Sequence, residues 1–305
     1  MIIKHNLSPL KIVPYVWFEL LVIGALAVAV WLGSVALPFA PLGVLGMALA
    51  IFLGFRNNSG YARWWDARSS WAALVNSSRN LGRLVGSSVD NAGKLGKGGG
   101  DEVLVAYKRE ILYRQIAFAH ALRLQLRGQD RWDVLAPLLP VAELERVRGA
   151  ANKPNVIMQA QADRLRDGVR EEKLGQFDPI SLEPTLASFV TVQGNCERIK
   201  STPLLRQYEF FTRVFLWTFL LLLPSSLLGL FASADRWVAI PLTLAITFIY
   251  VITNKIGKVT EDPFENRIHD VPMTALCTTV ERDLREQLGE RDLPPAAVPV
   301  DGYLY

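Results

Sequence analysis

The sequence predicts an all-α integral membrane protein with four transmembrane helices in two hairpins and a helical cytoplasmic region. Every residue from Leu20 to Phe55 is uncharged, which is more than one membrane span needs. Two further uncharged runs occur late in the chain, at Val214–Ala234 and Trp237–Asn254. The intervening stretch, Arg56–Arg213, is mostly polar and shows no convincing strand alternation.

The first uncharged run is too long to be a single span. As one helix it would extend about 54 Å, whereas the hydrocarbon core of a bilayer is about 30 Å thick. Pro38 and Pro41 interrupt the run and disfavour a continuous helix. We therefore expect two spans joined by a tight turn. Only Asp235 and Arg236 separate the two late runs, which predict a second hairpin.

These runs divide the chain into four predicted segments. Residues 1–55 hold the N-terminal segment and the first transmembrane hairpin, and residues 56–213 hold the cytoplasmic helical region. Residues 214–254 form the second hairpin, and residues 255–305 form a C-terminal cytoplasmic helix and tail.

The polar segments are predicted to be helical. The Gly-rich stretch Asn91–Gly100 predicts a flexible connector. Apolar periodicity and capping signals predict helices in six places: Ser59–Gly86 (continuing the second span), Asp101–Leu126, Val141–Arg148, Val156–Gly168, Pro179 to about Lys200, and Pro272–Leu288.

Basic residues near the span ends predict the orientation, because cytoplasmic loops carry an excess of lysine and arginine. The hairpin tips carry only Arg236. The opposite ends of the spans carry Lys4, Lys11, Arg56, Arg63, Arg68, Arg206, Arg213, Lys255 and Lys258. Both termini and the large middle region are therefore expected in the cytoplasm, where Cys196 and Cys277 should be reduced thiols.

Several function classes find no support in the sequence. The excess of basic residues at the cytoplasmic ends of the spans explains the formal charge of +4. No basic stripe or motif indicates nucleic-acid binding. His5, His120 and His269 lie far apart and lack partners at metal-ligand spacing. No nucleophile–base arrangement is recognisable, and the Gly-rich connector lacks phosphate-loop spacing. We expect neither an enzyme nor a cofactor.

One helical face of the second span could line a pore. Met47, Ile51 and Phe55 recur at i, i+4 and i+8, so they share a face. Small residues occupy much of the rest of the span: Gly43, Gly46, Ala48, Ala50 and Gly54. Around an oligomer axis, the three apolar side chains would form rings that gate by dewetting. Packing against lipid or a neighbouring helix explains the same pattern, so both readings stay open.

Polar side chains crowd the region just below that span. Asn57, Asn58, Tyr61, Arg63 and Asp66, followed by Arg68, need hydrogen-bond partners at this depth, and a structural scaffold is the simpler interpretation. Glu19 is the one ionisable residue set into the first apolar run. Because it lies near a span end, we favour an interfacial role for it over ion conduction.

Three ordered motifs in this chain resemble the bestrophin family, specifically its bacterial branch. The first is the sequence FRNNSGYARWWDAR at residues 55–68. The second is Ser201–Leu204, followed by Tyr208, Arg213, Leu223 and Pro224. The third is Glu261–Phe264, followed by Asp270, Pro272, Cys277 and Glu281–Leu284. The resemblance covers essentially the whole chain.

The resemblance implies a homopentameric, all-helical ion channel of a bacterial inner membrane with one central pore. By alignment, the family's apolar membrane neck falls on Met47, Ile51 and Phe55. A second constriction, the cytosolic aperture, follows Asp178–Pro179 and so falls on Ile180. Eukaryotic members pass anions under calcium control, whereas a bacterial relative favours monovalent cations.

The chain departs from the family pattern in three places. Met47 is flexible where isoleucine is usual, and Asp66 stands where glutamate is common. The eukaryotic calcium clasp is an acidic run after the fourth span, but here only Glu261 and Asp262 are adjacent, followed by Glu265. Because calcium takes about six to eight oxygen ligands, we predict no tight calcium site, with Glu261 and Asp262 as weak candidates.

The resulting hypothesis is a pentameric channel that conducts monovalent cations such as sodium and potassium. Its partners are copies of itself, membrane lipid and the permeant ions. The charge pattern does not decide selectivity, since Asp178 and Glu183 near the aperture favour cations and a basic cytoplasmic domain favours anions. An anion channel of the same fold and a non-conducting membrane scaffold or sensor are the alternatives.

Overall fold

The structure is a computed structural model that describes residues 1–3 and 9–305; for residues 9–13 it describes the backbone alone. Lys4 and His5, which the sequence analysis discussed, lie outside the described residues, as does the side chain of Lys11.

Nine α-helices account for most of the described chain. They are α1 (Pro9–Gly33), α2 (Phe39–Lys94), α3 (Asp101–Arg127), α4 (Val141–Gly149), α5 (Lys153–Arg170), α6 (Asp178–Ser201), α7 (Arg206–Leu228), α8 (Ala239–Thr260) and α9 (Met273–Gln287). Short 3₁₀ turns lie at Trp132–Leu135 and Arg236–Val238. The β contacts within the described ranges are isolated bridges of Tyr303 with Ile2 and Val300. The predicted all-α class is confirmed.

Among the described residues, four helices are long and apolar enough to cross a membrane, as predicted. Their span candidates are Pro14–Gly33, Phe39–Lys94, Arg206–Leu228 and Arg236–Thr260. The first uncharged run breaks at the expected place, since α1 ends at Gly33 and Ser34 adopts a positive φ of 51°. Helix α2 then begins directly after Pro38, and Pro41 lies in its first turn, where no intrahelical N–H bond is lost.

Helical structure extends past the uncharged runs that predicted the second hairpin. Helix α7 starts at Arg206, well before Val214, and α8 continues to Thr260. Glu209 and Arg213 form an i,i+4 ion pair at 2.8 Å in the first turns of α7. Such pairs stabilise a helix in water, so the helix does not end where charge begins.

The other predicted helices exist with shifted ends. Helix α2 persists to Lys94, which shortens the predicted connector to residues 95–100. Helix α5 begins at Lys153 rather than Val156, because the Asn152 side chain accepts a hydrogen bond from the Asn155 N–H at 3.2 Å. Asn152 is thus an N-cap, with Pro154 in the first turn.

The chain divides into two compact units. The membrane unit comprises the described part of Lys4–Trp64 together with Pro203–Asp262. The helical unit comprises Met1–Ile3, Trp65–Thr202 and Pro263–Tyr305. The core of the membrane unit contains, among others, Val16, Ile23, Leu42, Leu49, Leu53, Leu216, Leu220 and Val251. In the helical unit, α3 packs against α5, α6 and α9 and buries Ile111, Ile116 and Phe118 completely.

A buried ion pair joins α3 to α4 within the helical unit. Arg114 donates from Nε and Nη2 to the two carboxylate oxygens of Glu143, at 2.8 and 2.9 Å. Its Nη2 also donates to Glu110 at 3.0 Å. Burial alone would lower the pKa of the Arg114 guanidinium, but the hydrogen bonds and charges of Glu143 and Glu110 raise it above its ordinary value. Arg114 therefore carries its charge inside the unit.

Both cysteines are buried thiols in the helical unit, and we expect them to resist alkylation in the folded protein. Burial raises the pKa of Cys196 and of Cys277 to about 12. Because the thiolate is the reactive form, iodoacetamide at pH 8 should label neither residue until denaturant is added. Mass spectrometry of the intact protein checks this, and rapid labelling of the native protein at either position would contradict the burial.

Candidate functional site

The face of α2 that carries Met47, Ile51 and Phe55 is exposed in the single chain. These side chains are 63%, 60% and 64% exposed, whereas the intervening Leu49 and Leu53 are buried in the core of the membrane unit. Three apolar side chains thus project from one stripe of a helix whose other side is packed. We call these three residues the neck stripe.

The opposite side of α2 is held close to α7 and α8. The Tyr250 hydroxyl donates to the carbonyl of Gly46 at 3.0 Å, and the Tyr250 and Phe219 rings lie 4.8 Å apart. A Cβ at Gly46 would lie 2.9 Å from the Phe219 ring, so this close approach requires glycine. The residue next to Met47 is therefore anchored to two other helices.

Arg56 anchors the end of the neck stripe that is nearest to Phe55 through hydrogen bonds to other segments of the membrane unit. It follows Phe55 directly, and its side chain is only 4% exposed. Its Nε donates to Glu261 Oε1 at 2.9 Å, and its Nη1 donates to Asn254 Oδ1 at 2.8 Å. From the sequence, Arg56 marks a span end and belongs to the motif at residues 55–68, but its partner was not predicted. Its position at the boundary between an uncharged run and water was the signal that it needed an acidic partner.

Two of the polar residues below the neck stripe, Asn57 and Arg63, connect α2 to the C-terminal part of α8 and the residue that follows it. Asn57 Nδ2 donates to the carbonyl of Thr253 at 3.2 Å, and Arg63 Nε donates to the carbonyl of Glu261 at 2.6 Å. Tyr61 stacks on Trp64 with ring centroids 6.2 Å apart. These contacts fit a structural scaffold. The side chains of Asn58 and Asp66 are exposed, and that of Arg68 is half-buried.

The structure gives the weak metal candidates little capacity for a cation. Both Nε and Nη2 of Arg56 lie within 2.9 Å of Oε1 of Glu261. Burial raises the pKa of the Glu261 carboxyl above its ordinary value, although the Arg56 charge acts in the opposite direction. Asp262 is exposed, and Glu265 pairs with Lys200. No group of three or more acidic, histidine or cysteine side chains suited to a metal occurs in residues 1–3 and 9–305.

The predicted aperture residue projects from the first turn of α6 in the helical unit. Ile180 is 71% exposed, and Phe177, the residue just before α6, is 76% exposed. Asp178 Oδ2 accepts a hydrogen bond from the Gly175 N–H at 2.7 Å, which pins the turn before the helix. Pro179 occupies the first turn, where proline suits a helix start. This turn presents two apolar side chains to solvent.

Glu19 is paired within the membrane unit. Lys255 Nζ lies 2.7 Å from Glu19 Oε1 and also donates to the carbonyl of Tyr15. The carboxylate therefore joins α1 to α8 at the ends of their apolar segments. An ion pair at this depth has a clear structural role, which fits the interfacial interpretation.

The family of this chain follows from a match over most of its length. A family described as bacterial/fungal bestrophin protein matches residues 7–286. The chain belongs to the bacterial/fungal bestrophin family. The resemblance seen in the three motifs is thereby confirmed, and the protein is a bestrophin-family ion channel with membrane-spanning helices.

Two similar proteins from other bacteria are both named as anion channel-forming proteins. The voltage-dependent anion channel-forming protein YneE of Escherichia coli K12 is 33% identical over 261 residues, which cover 85% of this chain and 80% of that protein. The protein of the same name in Salmonella typhi is 31% identical over 287 residues, covering 93% of this chain and 88% of its own length.

Solved structures of the family share the fold. A bacterial bestrophin homologue from Klebsiella pneumoniae superposes with a TM-score of 0.81 at 25% sequence identity. The match covers 90% of this chain and 99% of that one. The four-span, all-helical bestrophin architecture of this chain is thus established.

Proposed function

We propose that this bestrophin assembles as a homopentamer and conducts small anions, such as chloride, through a central pore. The neck stripe would form the membrane constriction, and Ile180 would form the cytosolic aperture. The observation that carries the proposal is the apolar stripe of Met47, Ile51 and Phe55, exposed on a helix whose other side is anchored. Copies of this stripe around an axis would form stacked apolar rings.

Anion conduction replaces the cation selectivity that was expected from the sequence. That expectation of monovalent cations rested on bacterial affiliation, and it finds no support among the named relatives. The proteins of Escherichia coli and Salmonella typhi are both named as anion channel-forming.

We further propose that the protein lies in the bacterial inner membrane with both termini in the cytoplasm. The basic residues flanking the spans support this orientation. Arg213 and Lys258 sit at corresponding ends of α7 and α8, whereas the loop between these helices carries only Arg236.

Anion flux into liposomes tests the proposal. Purified protein is reconstituted into vesicles that contain a halide-quenched dye, and quenching is followed after external iodide or chloride is added. We expect rapid quenching that depends on protein, and native mass spectrometry should find five chains per particle. Well-folded protein that gives no flux would support the non-conducting scaffold or sensor instead.

A cation channel of the same fold is the second candidate. Two acidic side chains favour it, because Glu183 is exposed one turn after Ile180 and Asp66 is exposed on α2. If they face the pore, they would attract cations. Potassium flux without halide flux in the same vesicles would favour this candidate over the proposal.

Truncation of the aperture residue should change which anions pass. We expect Ile180→Ala to raise the permeability of large anions relative to chloride, because a narrower side chain widens the apolar ring. Bi-ionic reversal potentials with chloride and a bulky organic anion measure this ratio. Val190→Ala is the matched control, since Val190 is also an exposed aliphatic residue on α6. An unchanged ratio in Ile180→Ala would remove Ile180 from the constriction.

A further inference from the structure

A cavity lies inside the membrane unit where its helices approach one end of the spans. Its volume is about 240 Å³, and its lining includes residues of α1, α2, α7 and α8. We call it the inner-edge cavity. All the residues that line it belong to one chain.

Cations outnumber anions in the lining of this cavity. Its basic residues are Arg56, Arg213, Lys255 and Lys258. Its acidic residues are Glu19 and Glu209. Lys255 Nζ forms an ion pair with Glu19 Oε1 at 2.7 Å, and Arg56 Nη2 forms one with Glu261 Oε1 at 2.8 Å. These two cations hold helices together and are mostly neutralised.

The remaining two cations share one carboxylate. Arg213 Nη2 lies 2.8 Å and Lys258 Nζ lies 3.1 Å from the same oxygen of Glu209. Their side chains are 58% and 59% exposed, so both heads reach solvent at the mouth of the cavity. One carboxylate cannot neutralise two cations, and a positive charge therefore remains at the mouth.

The cavity wall beyond these charges is mostly apolar, with Asn254 as its one uncharged polar residue among the lining residues that the structure describes. Leu216, Trp217 and Leu220 of α7 and Val251 of α8 line it. Trp217 lies one residue beyond Leu216 in a span, and tryptophan suits the level of lipid headgroups. The cavity thus combines a cationic mouth with an apolar wall. A free phosphate ion would use only the mouth, whereas an amphiphile would use both parts.

We propose that the inner-edge cavity binds the anionic headgroup of a membrane phospholipid, with Arg213 and Lys258 contacting the phosphate and the apolar wall contacting the first part of an acyl chain. Basic pockets between transmembrane helices suit such headgroups in general. The lipid comes from the leaflet at this edge, which the proposed orientation makes the cytoplasmic one. Lipid binding at this cavity is a property separate from ion conduction, and it does not require that the protein conducts ions.

The test compares phospholipids that differ in headgroup charge. Protein in neutral detergent is titrated with dioleoyl phosphatidylglycerol or with dioleoyl phosphatidylcholine, and native mass spectrometry counts the lipids that each particle retains. We expect the wild type to retain the anionic lipid preferentially. Arg213→Gln with Lys258→Gln should lower the ratio of retained phosphatidylglycerol to retained phosphatidylcholine by about tenfold, since each Lys or Arg near an anionic headgroup strengthens lipid binding.

Two variants separate lipid binding from a structural role. Glu209→Gln removes the competing carboxylate, so the anionic lipid should be retained as well or better, whereas loss of a purely structural cluster would weaken retention of both lipids. Arg206→Gln, which removes a charge from α7 outside the cavity lining, should change nothing. If the double variant does not fold, Lys258→Gln alone is used, because Arg213 still pairs with Glu209 in that variant.

Three results would overturn the proposal. The first is equal retention of both lipids by the wild type. The second is an unchanged preference for phosphatidylglycerol in the Arg213 and Lys258 variants. The third is full competition by free glycerol phosphate at the concentration of the lipid, which would assign the cavity to a soluble phosphate compound.

Discussion

Shrinking the neck stripe should open the channel. We expect Ile51→Ala together with Phe55→Ala to raise anion flux by about tenfold, a barrier decrease of about 1.4 kcal/mol. Both side chains are exposed in the single chain and contribute little to the packed core. Their truncation removes apolar bulk from two stacked rings, so water and ions enter the constriction more readily. Single-channel recordings in planar bilayers measure the change.

The control for this experiment is a matched pair on another helix. Phe18 and Leu21 are exposed apolar residues of α1, 54% and 61% exposed, and neither belongs to the neck stripe. Phe18→Ala with Leu21→Ala removes similar bulk from the membrane unit, and we expect an unchanged current. If the neck variant folds but conducts no better than the parent, the stripe does not line the constriction.

Removal of Arg114 should strongly destabilise the helical unit. Arg114→Ala leaves Glu143, a buried carboxylate on α4, without its bidentate partner. Breaking a buried ion pair from one side costs about 3–5 kcal/mol, because the remaining charge stays desolvated. For a unit of this size we expect the thermal unfolding temperature to fall by about 10 °C. Scanning fluorimetry of purified protein measures the shift.

Two variants identify the cause of that loss. Arg148→Ala breaks the ion pair with Glu145, also on α4 but exposed, and should cost less than about 1 kcal/mol. Arg114→Met with Glu143→Leu replaces both buried charges by apolar side chains and should recover most of the stability. A double variant as unstable as Arg114→Ala would assign the loss to the packing of Arg114 or its hydrogen bonds to Glu110 and Gln161, rather than to the unpaired charge of Glu143.

The helices were predictable because their signals are local. The uncharged runs, Pro38 and Pro41, and the N-terminal signal at Asp178–Pro179 each act within a few residues. The early start of α5 was missed, although Asn152 and Pro154 carried a capping signal. The extension of α7 to Arg206 was missed because hydropathy marks the lipid-facing part of a helix and says nothing of its continuation into water.

The site was predictable only in part, because its supports are long-range contacts. Periodicity alone placed Met47, Ile51 and Phe55 on one face. The ion pair of Arg56 with Glu261 joins residues 205 positions apart, and local sequence cannot specify such a pairing. The same holds for the cluster of Arg213 and Lys258 around Glu209. Selectivity was the weakest expectation, since acidic side chains near the aperture favour cations whereas a basic cytoplasmic region favours anions.

The reversal potential of purified protein in planar bilayers, under a sodium chloride gradient, tests the central claim most directly. Conduction of small anions through the apolar neck predicts a potential near the chloride equilibrium value, and the more conductive variant with Ile51→Ala and Phe55→Ala should be recorded in parallel. A potential near the sodium equilibrium value in the wild type would contradict the proposed anion conduction and restore the cation channel.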